Sequence, residues 1–311
     1  MPGDYDIGED DTKKGEIRLV TRQLREMVCI KRQGMGYAID DRGKRMMQLP
    51  DLNTFTRFFL DLFKEDVDSM AIDMACILSL DDERLVCALE DFRPSLMDKV
   101  PGRDKDLHKV CDLGDVWLDL VAFDLAIQHG PNDSMLKKVG ITINTPVLAI
   151  LKKLRDALLK HYSVKDGQGS DLSAHRQDII LHNVLKAFKW QTMEIYDEHN
   201  GRHLSTGCPV HLSQDTILNF KREIGVNYVI YLDITRANEY NTQANSVYTA
   251  KNLLHIPYAA VSMVFEDFAP EGGFELKSDD FEDSDAEDEA RFEISRVEFE
   301  ASLSLKMGHE A

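Results

Sequence analysis

Residues 144–162 read NTPVLAILKKLRDALLKHY, and this stretch is the clearest structural signal in the chain. Asn144 or Thr145 can cap a helix, and Pro146 suits its first turn. Apolar residues follow at helical spacing, namely Val147, Ile150, Leu151, Leu154 and Leu158. The stretch predicts a helix that buries these five side chains on one face.

Working outward from this helix, apolar spacing predicts further helices on both sides. They cover residues 17–28, 54–63, 68–80, the segment after Ser79, about 114–129 and about 172–190. Ser79 and Asp82 are placed like a capping box for the segment that follows them. Much of residues 15–165 is therefore expected to be helical.

Strand signals complete the expected fold. A hairpin is predicted around Asp40–Gly43 and a second one around Asn200-Gly201, while residues 226–235 and 257–267 read as strands. The sequence thus predicts a mixed α+β fold, in which a mainly helical N-terminal part packs on a smaller C-terminal part that contains a sheet.

The domain organisation follows from changes in composition. We expect an acidic, disordered leader at 1–14, a mainly helical part with one hairpin at 15–165, and an α+β part at 172–267. The loop between the last two parts, from Val164 to Asp171, is the best candidate boundary. An acidic flexible linker at 268–290 and a C-terminal strand at 291–307 complete the chain.

The C-terminal strand has a regular alternation. Residues Val297, Phe299, Ala301, Leu303, Leu305 and Met307 are apolar, and the residues between them are polar. Burying each large apolar side chain contributes about 1.5–3 kcal/mol, so we expect this strand to dock on a sheet. A flexible linker of this length spans roughly 25–30 Å, which reaches a neighbouring subunit as well as the same chain. We therefore predict a homo-oligomer, with Val297, Phe299, Leu303 and Leu305 as its oligomerisation residues.

The net charge of −18 is concentrated in two segments. Residues 1–12 and 266–289 together supply −16 of it, so the rest of the chain is almost neutral and can carry basic surfaces. Within the second segment, Ser284 is followed by Asp285, Glu287 and Asp288, surroundings that suit an acid-directed kinase. We interpret this segment as a regulatory linker, with a solubilising role as the alternative.

Apolar run lengths, the N-terminal residues and the cysteines indicate where in the cell the protein is expected. The longest apolar runs fall short of the roughly 18–20 residues of a membrane span, and the N-terminus does not read as a signal peptide. Five scattered cysteines are typical of core residues in a reducing compartment. We expect a cytoplasmic protein without a membrane partner.

Two groups of side chains could hold a metal. His199, His203, Cys208 and His211 offer four possible zinc ligands within thirteen residues, although they straddle the Asn-Gly turn and lack a CxxC pair. His175, Asp178 and His182 share one face of a predicted helix. Ordinary polar surface residues are the favoured interpretation of both groups, so no metal or other cofactor is predicted.

A third group suggests nuclease chemistry. Asp233, Asp267, Glu275 and Lys277 combine carboxylates with a lysine, as a two-metal site requires. The pattern loosely resembles the PD-(D/E)xK nucleases, which implies a metal-dependent nuclease or phosphohydrolase as the alternative function. Sequence motifs for nucleotide-binding loops, zinc proteases and serine hydrolases are lacking, so we expect a protein that is not an enzyme.

Basic residues form the fourth group. The candidates for nucleic-acid binding are Lys137, Lys138, Lys152, Lys153, Arg155, Lys160, Lys44 and Arg45. Tyr37, Tyr162 and Trp190 are candidate stacking partners for bases. Single-stranded RNA is the nucleic acid that we expect, and a basic protein partner for the acidic linker is the alternative.

Together these features predict a self-assembling scaffold that binds RNA or a protein partner. A helical body, basic patches and an assembly strand behind an acidic segment are similar, at the level of architecture alone, to viral non-structural proteins that build replication compartments. That resemblance implies a role in assembly. A protein–protein adaptor that does not bind nucleic acid is a further alternative.

Overall fold

The mixed α+β class expected from the sequence is confirmed. A computed structural model describes residues 20–33, 36–49, 52–64, 66–80, 83–87, 113–131, 141–165, 174–197, 199–205, 207–213, 216–218, 227–236, 248–257, 260–261 and 264. The acidic leader, the acidic linker and the C-terminal strand lie outside these residues, so those three expectations stay predictions.

The described helices and strands follow one another in this order along the chain. The helices are α1 (20–26), α2 (Asp41–Met47), α3 (Thr54–Leu62), α4 (Ser69–Leu78), α5 (Asp115–His129), α6 (Thr145–Tyr162) and α7 (Ala174–Phe188). The strands are β1 (Ile30–Gln33), β2 (Gly36–Ile39), β3 (Val86–Cys87), β4 (Thr142–Ile143), β5 (Thr192–Ile195), β6 (Asn200–His203), β7 (Pro209–Leu212), β8 (Asn227–Arg236) and β9 (Tyr248–Ile256). None of these helices combines the length and the apolar character that a bilayer crossing requires.

The chain forms two compact units. The first takes Met1–Arg45, Ser205–Cys208 and Phe268–Ala311, and the second takes Met46–Leu204 and Pro209–Asp267. Helix α7, which follows the candidate boundary, belongs to the second unit and packs against α3. The division of the chain into a helical part and an α+β part stays a prediction.

The second unit is built around α4. All ten residues of this helix are buried, and it contacts α3, α5 and α6. A helix that is apolar on every side is stable only when other elements surround it. Its single acid, Asp73, is buried with Arg155 of α6, and the Arg155 Nε lies 2.6 Å from the Asp73 Oδ1.

The other half of the second unit is a closed five-stranded barrel. Its strand order is β5-β6-β7-β9-β8, and β8 closes the barrel on β5. Neighbouring strands are antiparallel except for β7 and β9, which are parallel. Closure leaves the barrel without an exposed edge strand.

The start of α5 ties the helices to this barrel. Asp115 is buried, and its two carboxylate oxygens accept hydrogen bonds from the Ile217 N–H at 2.9 Å and the Leu253 N–H at 3.0 Å. The Arg84 guanidinium lies 3.5 Å from the same carboxylate. Gly114 precedes it with a φ of +99°, and a Cβ there would lie 2.6 Å from the Leu253 carbonyl oxygen, so only glycine fits.

The predicted bounds of helix α6 are confirmed, but its predicted buried face is not. Asn144 caps the helix, and its side chain accepts a hydrogen bond from the Val147 N–H. The buried residues are Val147, Leu148, Leu151, Arg155, Leu158 and Leu159. Ile150 is 59% exposed, so its place on the buried face was wrong. The buried pairing of Arg155 with Asp73 turns that side of the helix inward.

Of the two predicted hairpins, the one around Asn200-Gly201 exists with a different turn, whereas the one centred on Asp40–Gly43 was wrong. In place of the first, residues 41–47 are helical, and β2 pairs with β1 on its N-terminal side so that Gln33 faces Gly36. Gly43 serves close packing, because a Cβ there would lie 2.4 Å from the Cys29 carbonyl oxygen. In the second, Gly201 lies within β6 opposite Ile195, where a Cβ would meet the Glu194 carbonyl oxygen at 2.7 Å. Close backbone approach, rather than turn geometry, requires glycine at both places.

Two other local predictions were wrong. Ser79 ends α4 instead of starting a helix, and residues 86–87 form β3, because the Val86 N–H bonds to Asp119 and the strand pairs with β4. The strand predicted at 257–267 was wrong for its described residues, because strand β9 ends before them, at Ile256. The Pro257 carbonyl accepts hydrogen bonds from the N–H groups of Ala260 and Val261, which begins helical structure there.

We predict that replacing Asp115 destabilises the protein strongly. An Asp115→Ala variant leaves two buried N–H groups without acceptors, and each costs about 1–3 kcal/mol. Urea denaturation should therefore show a loss of roughly 2–5 kcal/mol in the free energy of unfolding. Asp115→Asn should lose less stability than Asp115→Ala, since its Oδ1 can accept one of the two bonds while its NH₂ group cannot accept the other. The control is Asp124→Ala, at a less buried position of the same helix, and equal losses for Asp115→Ala and Asp124→Ala would contradict the prediction.

Candidate functional site

An exposed tyrosine and an arginine meet on the outer surface of the barrel. Tyr196 follows β5 and is 56% exposed. The Arg202 guanidinium of β6 lies over its ring, with the Cζ 5.5 Å from the ring centroid. Glu194 of β5 faces Arg202 in the strand register, and the Arg202 Nη2 donates to the Glu194 Oε2 at 2.9 Å. We call Glu194, Tyr196 and Arg202 the Tyr196 face.

The turn that carries Tyr196 is held by local hydrogen bonds. The Asp197 Oδ1 accepts hydrogen bonds from the His199 N–H at 2.8 Å and from the Asn200 side chain at 3.0 Å. The Asn200 side chain and then the His199 N–H lower the pKa of Asp197, so the carboxylate stays charged. The Tyr196 N–H also donates to the Asn200 carbonyl. These bonds fix the backbone on which the exposed ring stands.

The electrostatics of this face combine a neutral ring with a paired cation. Partial burial raises the pKa of Tyr196, so its phenol is neutral at physiological pH. The hydrogen bond to Glu194 raises the pKa of Arg202, which keeps the guanidinium charged. A flat apolar ring beside a guanidinium can stack a planar ligand, and the guanidinium can also donate to phosphate.

The interior of the barrel holds a histidine that cannot act as a surface ligand. His203 is 3% exposed, and its Nε2 lies 2.7 Å from the Trp190 carbonyl oxygen. A carbonyl only accepts hydrogen bonds, so the Nε2 carries the proton. Burial lowers the pKa of His203 to about 4. Its ring packs 5.9 Å from the ring of Tyr231.

The four zinc candidates have separate environments. His203 is buried and hydrogen-bonded, Cys208 is buried, and His199 is exposed. The Nδ1 of His211 lies 3.1 Å from the His199 carbonyl oxygen. In the described part of the chain, no three His, Cys, Asp or Glu side chains lie close enough to share a metal ion.

The nuclease candidates lie mostly outside the described residues. Asp233 is on β8, 8% exposed and opposite Lys251 of β9, whereas Asp267, Glu275 and Lys277 are outside. Ser284 is outside as well. In the helical group, Asp178 is exposed and His182 is half-buried on α7. No observation on the described residues therefore favours either group.

The basic candidates fall into three sets. On α6, Lys153 and Lys160 are exposed and Lys152 is half-buried, whereas Arg155 is buried in its pair with Asp73. On α2, Arg45 is exposed and Lys44 pairs with Asp41 at 2.9 Å. Lys137 and Lys138 lie outside the described residues. Because Arg155 has a structural partner in the core, we leave it out of any binding surface.

The sequence also contained a signal for the Tyr196 face. Glu194 lies two residues before the turn at 196–199 and Arg202 three residues after it, so a correct hairpin register pairs them. With the turn predicted at Asn200-Gly201, Glu194 and Arg202 would not be cross-strand partners, so the pairing was missed. Of the stacking partners named from the sequence, Tyr37 is exposed, while Tyr162 and Trp190 are half-buried.

The chain was compared with protein-family models and with curated proteins. No protein-family model matches the chain, and no curated protein matches it.

The buried His203 predicts a loss of stability in acid. Its pKa is about 4 in the folded chain and 6.5 in an unfolded one, so the unfolded state binds more protons as the pH falls below 6.5. The contribution of His203 to the free energy of unfolding is therefore fully present above pH 6.5, and it should drop by about 2 kcal/mol between pH 7.5 and pH 5. Asp119, whose pKa burial raises to about 6, acts in the opposite direction.

A His203→Gln variant isolates this contribution. Glutamine can still donate to the Trp190 carbonyl, while Asp119 is common to both proteins and cancels in the difference. Urea denaturation at pH 7.5 and 5.0 should show about 2 kcal/mol less acid loss in the variant. The same acid loss in both proteins would mean that His203 is protonated in the folded state.

Proposed function

We propose that the protein binds single-stranded RNA through the Tyr196 face and that it does so without catalysis. The observation that supports this most directly is the stacking of the Arg202 guanidinium on the exposed Tyr196 ring. Proteins that bind single strands combine aromatic side chains, on which bases stack, with basic groups that contact the backbone. Each stacked base contributes about 1–3 kcal/mol.

The position of this face on the barrel supports the same proposal. OB-folds are five-stranded Greek-key barrels that bind oligonucleotides on their second and third strands and on the loop between the first two. In the present barrel, the loop between the first two strands carries Tyr196, and the second strand, β6, carries Arg202. Architecture alone does not give function, so the exposed side chains carry the proposal.

The number of cations on this face indicates whether base stacking or phosphate contacts should dominate RNA binding. Arg202 is paired with Glu194, and −16 of the net charge of −18 lies in the two acidic segments. A surface with few cations releases few counterions, and each phosphate contact to a single strand adds about −0.7 to the salt slope. We therefore propose that base stacking supplies most of the affinity, with the exposed lysines of α6 adding phosphate contacts.

Binding of a fluorescent single-stranded RNA tests the Tyr196 face. Tyr196→Ala should weaken binding by about 5- to 100-fold, because it removes the stacking ring. Tyr196→Phe keeps the ring and should bind like the unmodified protein. The control is Ile150→Ala, which removes another exposed apolar side chain of the same unit. Equal affinity of the Tyr196→Ala and unmodified proteins would exclude this face.

The charged member of the face has its own matched control. Arg202→Glu should weaken binding at least about tenfold, since it places a second carboxylate beside Glu194. Arg22→Glu makes the same change of charge at another exposed arginine and should leave affinity unchanged. A single-stranded DNA of the same sequence, run in parallel, measures the preference for RNA that the 2′-hydroxyl would provide.

The lysines of α6 are tested separately. A Lys152→Glu, Lys153→Glu variant should reduce both the affinity and the steepness of its salt dependence, if the helix contacts phosphates. An affinity and a salt slope equal to those of the unmodified protein would remove α6 from the binding surface. Loss of binding in this variant alone, with Tyr196→Ala unaffected, would move the proposed site from the barrel to the helix.

A further inference from the structure

The hairpin β1–β2 of the first unit has an exposed apolar face. In its register Ile30 faces Ile39 and Arg32 faces Tyr37, so these four side chains share one side. Tyr37 is 49% exposed and Ile39 is 47% exposed. A two-stranded hairpin is only marginally stable in water, and a third strand or a packed element is what stabilises it.

Contacts with residues 27–29 and with α2 hold the base of this hairpin. The Asp40 N–H donates to the Cys29 carbonyl, and the Arg42 guanidinium donates to the Met27 carbonyl. Gly43 of α2 also approaches Cys29 closely. These contacts fix the ends of both strands and leave the side chains of Arg32 and Tyr37, further along the hairpin, exposed.

The chain itself contains a segment that needs such a surface. Residues 296–307 alternate between polar and apolar side chains, as a strand does when one face is buried. The segment's apolar side chains include Phe299 and Leu303, which can form cross-strand pairs with Tyr37 and Ile39. An extended segment that joins a sheet edge gains backbone hydrogen bonds as well.

Charge and chain length favour the same pairing. The hairpin residues 30–39 carry Lys31 and Arg32 and no acid, while residues 278–289, just before the segment, carry eight acids and no base. About 31 residues separate Val264 from the segment. Extended, they reach about 100 Å, several times the radius of gyration of about 20 Å for a compact chain of this length. A tether of this kind gives an effective concentration in the millimolar range, which favours docking within one chain.

We propose that residues 296–307 dock on the β1–β2 hairpin of the same chain as its third strand, with their apolar side chains on the side of Tyr37 and Ile39. This docking does not depend on RNA binding, because the Tyr196 face contributes no residue to it.

Hydrogen exchange of the full chain tests the docking. In a Leu303→Asp, Leu305→Asp variant, the amides of residues 30–39 should exchange at least about tenfold faster, because the third strand no longer protects them. The matched control is Ser302→Asp, Ser304→Asp, which adds the same charge to the polar face of the same segment and should leave exchange unchanged. Amides of β8 serve as an internal reference. Equal exchange of residues 30–39 in both variants would overturn the proposal.

Chemical cross-linking identifies the chain that supplies the segment. Lys31 of β1 and Lys306 can be joined by an amine-reactive cross-linker in an equal mixture of ¹⁴N- and ¹⁵N-labelled protein. Docking within one chain predicts a Lys31–Lys306 link whose two peptides always carry the same label. Peptide pairs of mixed label would show exchange between copies, and the absence of this link would show that the segment docks elsewhere. Either result would overturn the proposal.

Discussion

The carboxylate of Asp115 connects the two halves of the second unit. It lies at the first turn of α5, which contacts the central helix α4, and it accepts hydrogen bonds from the backbone of Leu253 on β9 and of Ile217. A buried carboxylate is stable only when its oxygens have partners, so its position and theirs are fixed together. Arg84 on the other side of the carboxylate brings in the residues that lead to β3.

Strand pairing in the barrel links the position of β9 to the position of side chains on the outer surface. Once β9 is fixed, its antiparallel register with β8, and that of β8 with β5, place Glu194 and the turn after β5. Gly201 lets β6 approach β5 closely, which brings Arg202 opposite Glu194 and over Tyr196. A surface built on rigid strands keeps its side chains in place better than one built on a long loop. The geometry of the Tyr196 face thus depends on buried positions, namely Asp115 and Gly201.

The sequence predicted what depends on local periodicity and missed what depends on distant contacts. The bounds of α6 and the existence of the β5–β6 hairpin follow from spacing, caps and turn residues. The buried side of α6 does not, because Arg155 turns inward to meet Asp73, a residue 82 positions away. Glycines were read as turn residues, whereas Gly43 and Gly201 are needed where two backbones approach. The closure of the barrel and the site on its surface depend on pairings that one sequence does not specify.

The most direct measurement of RNA contact is photo-cross-linking of the intact protein to a single-stranded RNA that contains 4-thiouridine, followed by mass spectrometry of the adducts. Our account predicts adducts concentrated on residues 194–202, with Tyr196 as the main site, and their suppression by excess unlabelled RNA. Adducts confined to the lysines of α6, or adducts that excess RNA does not suppress, would contradict the assignment of RNA binding to the barrel.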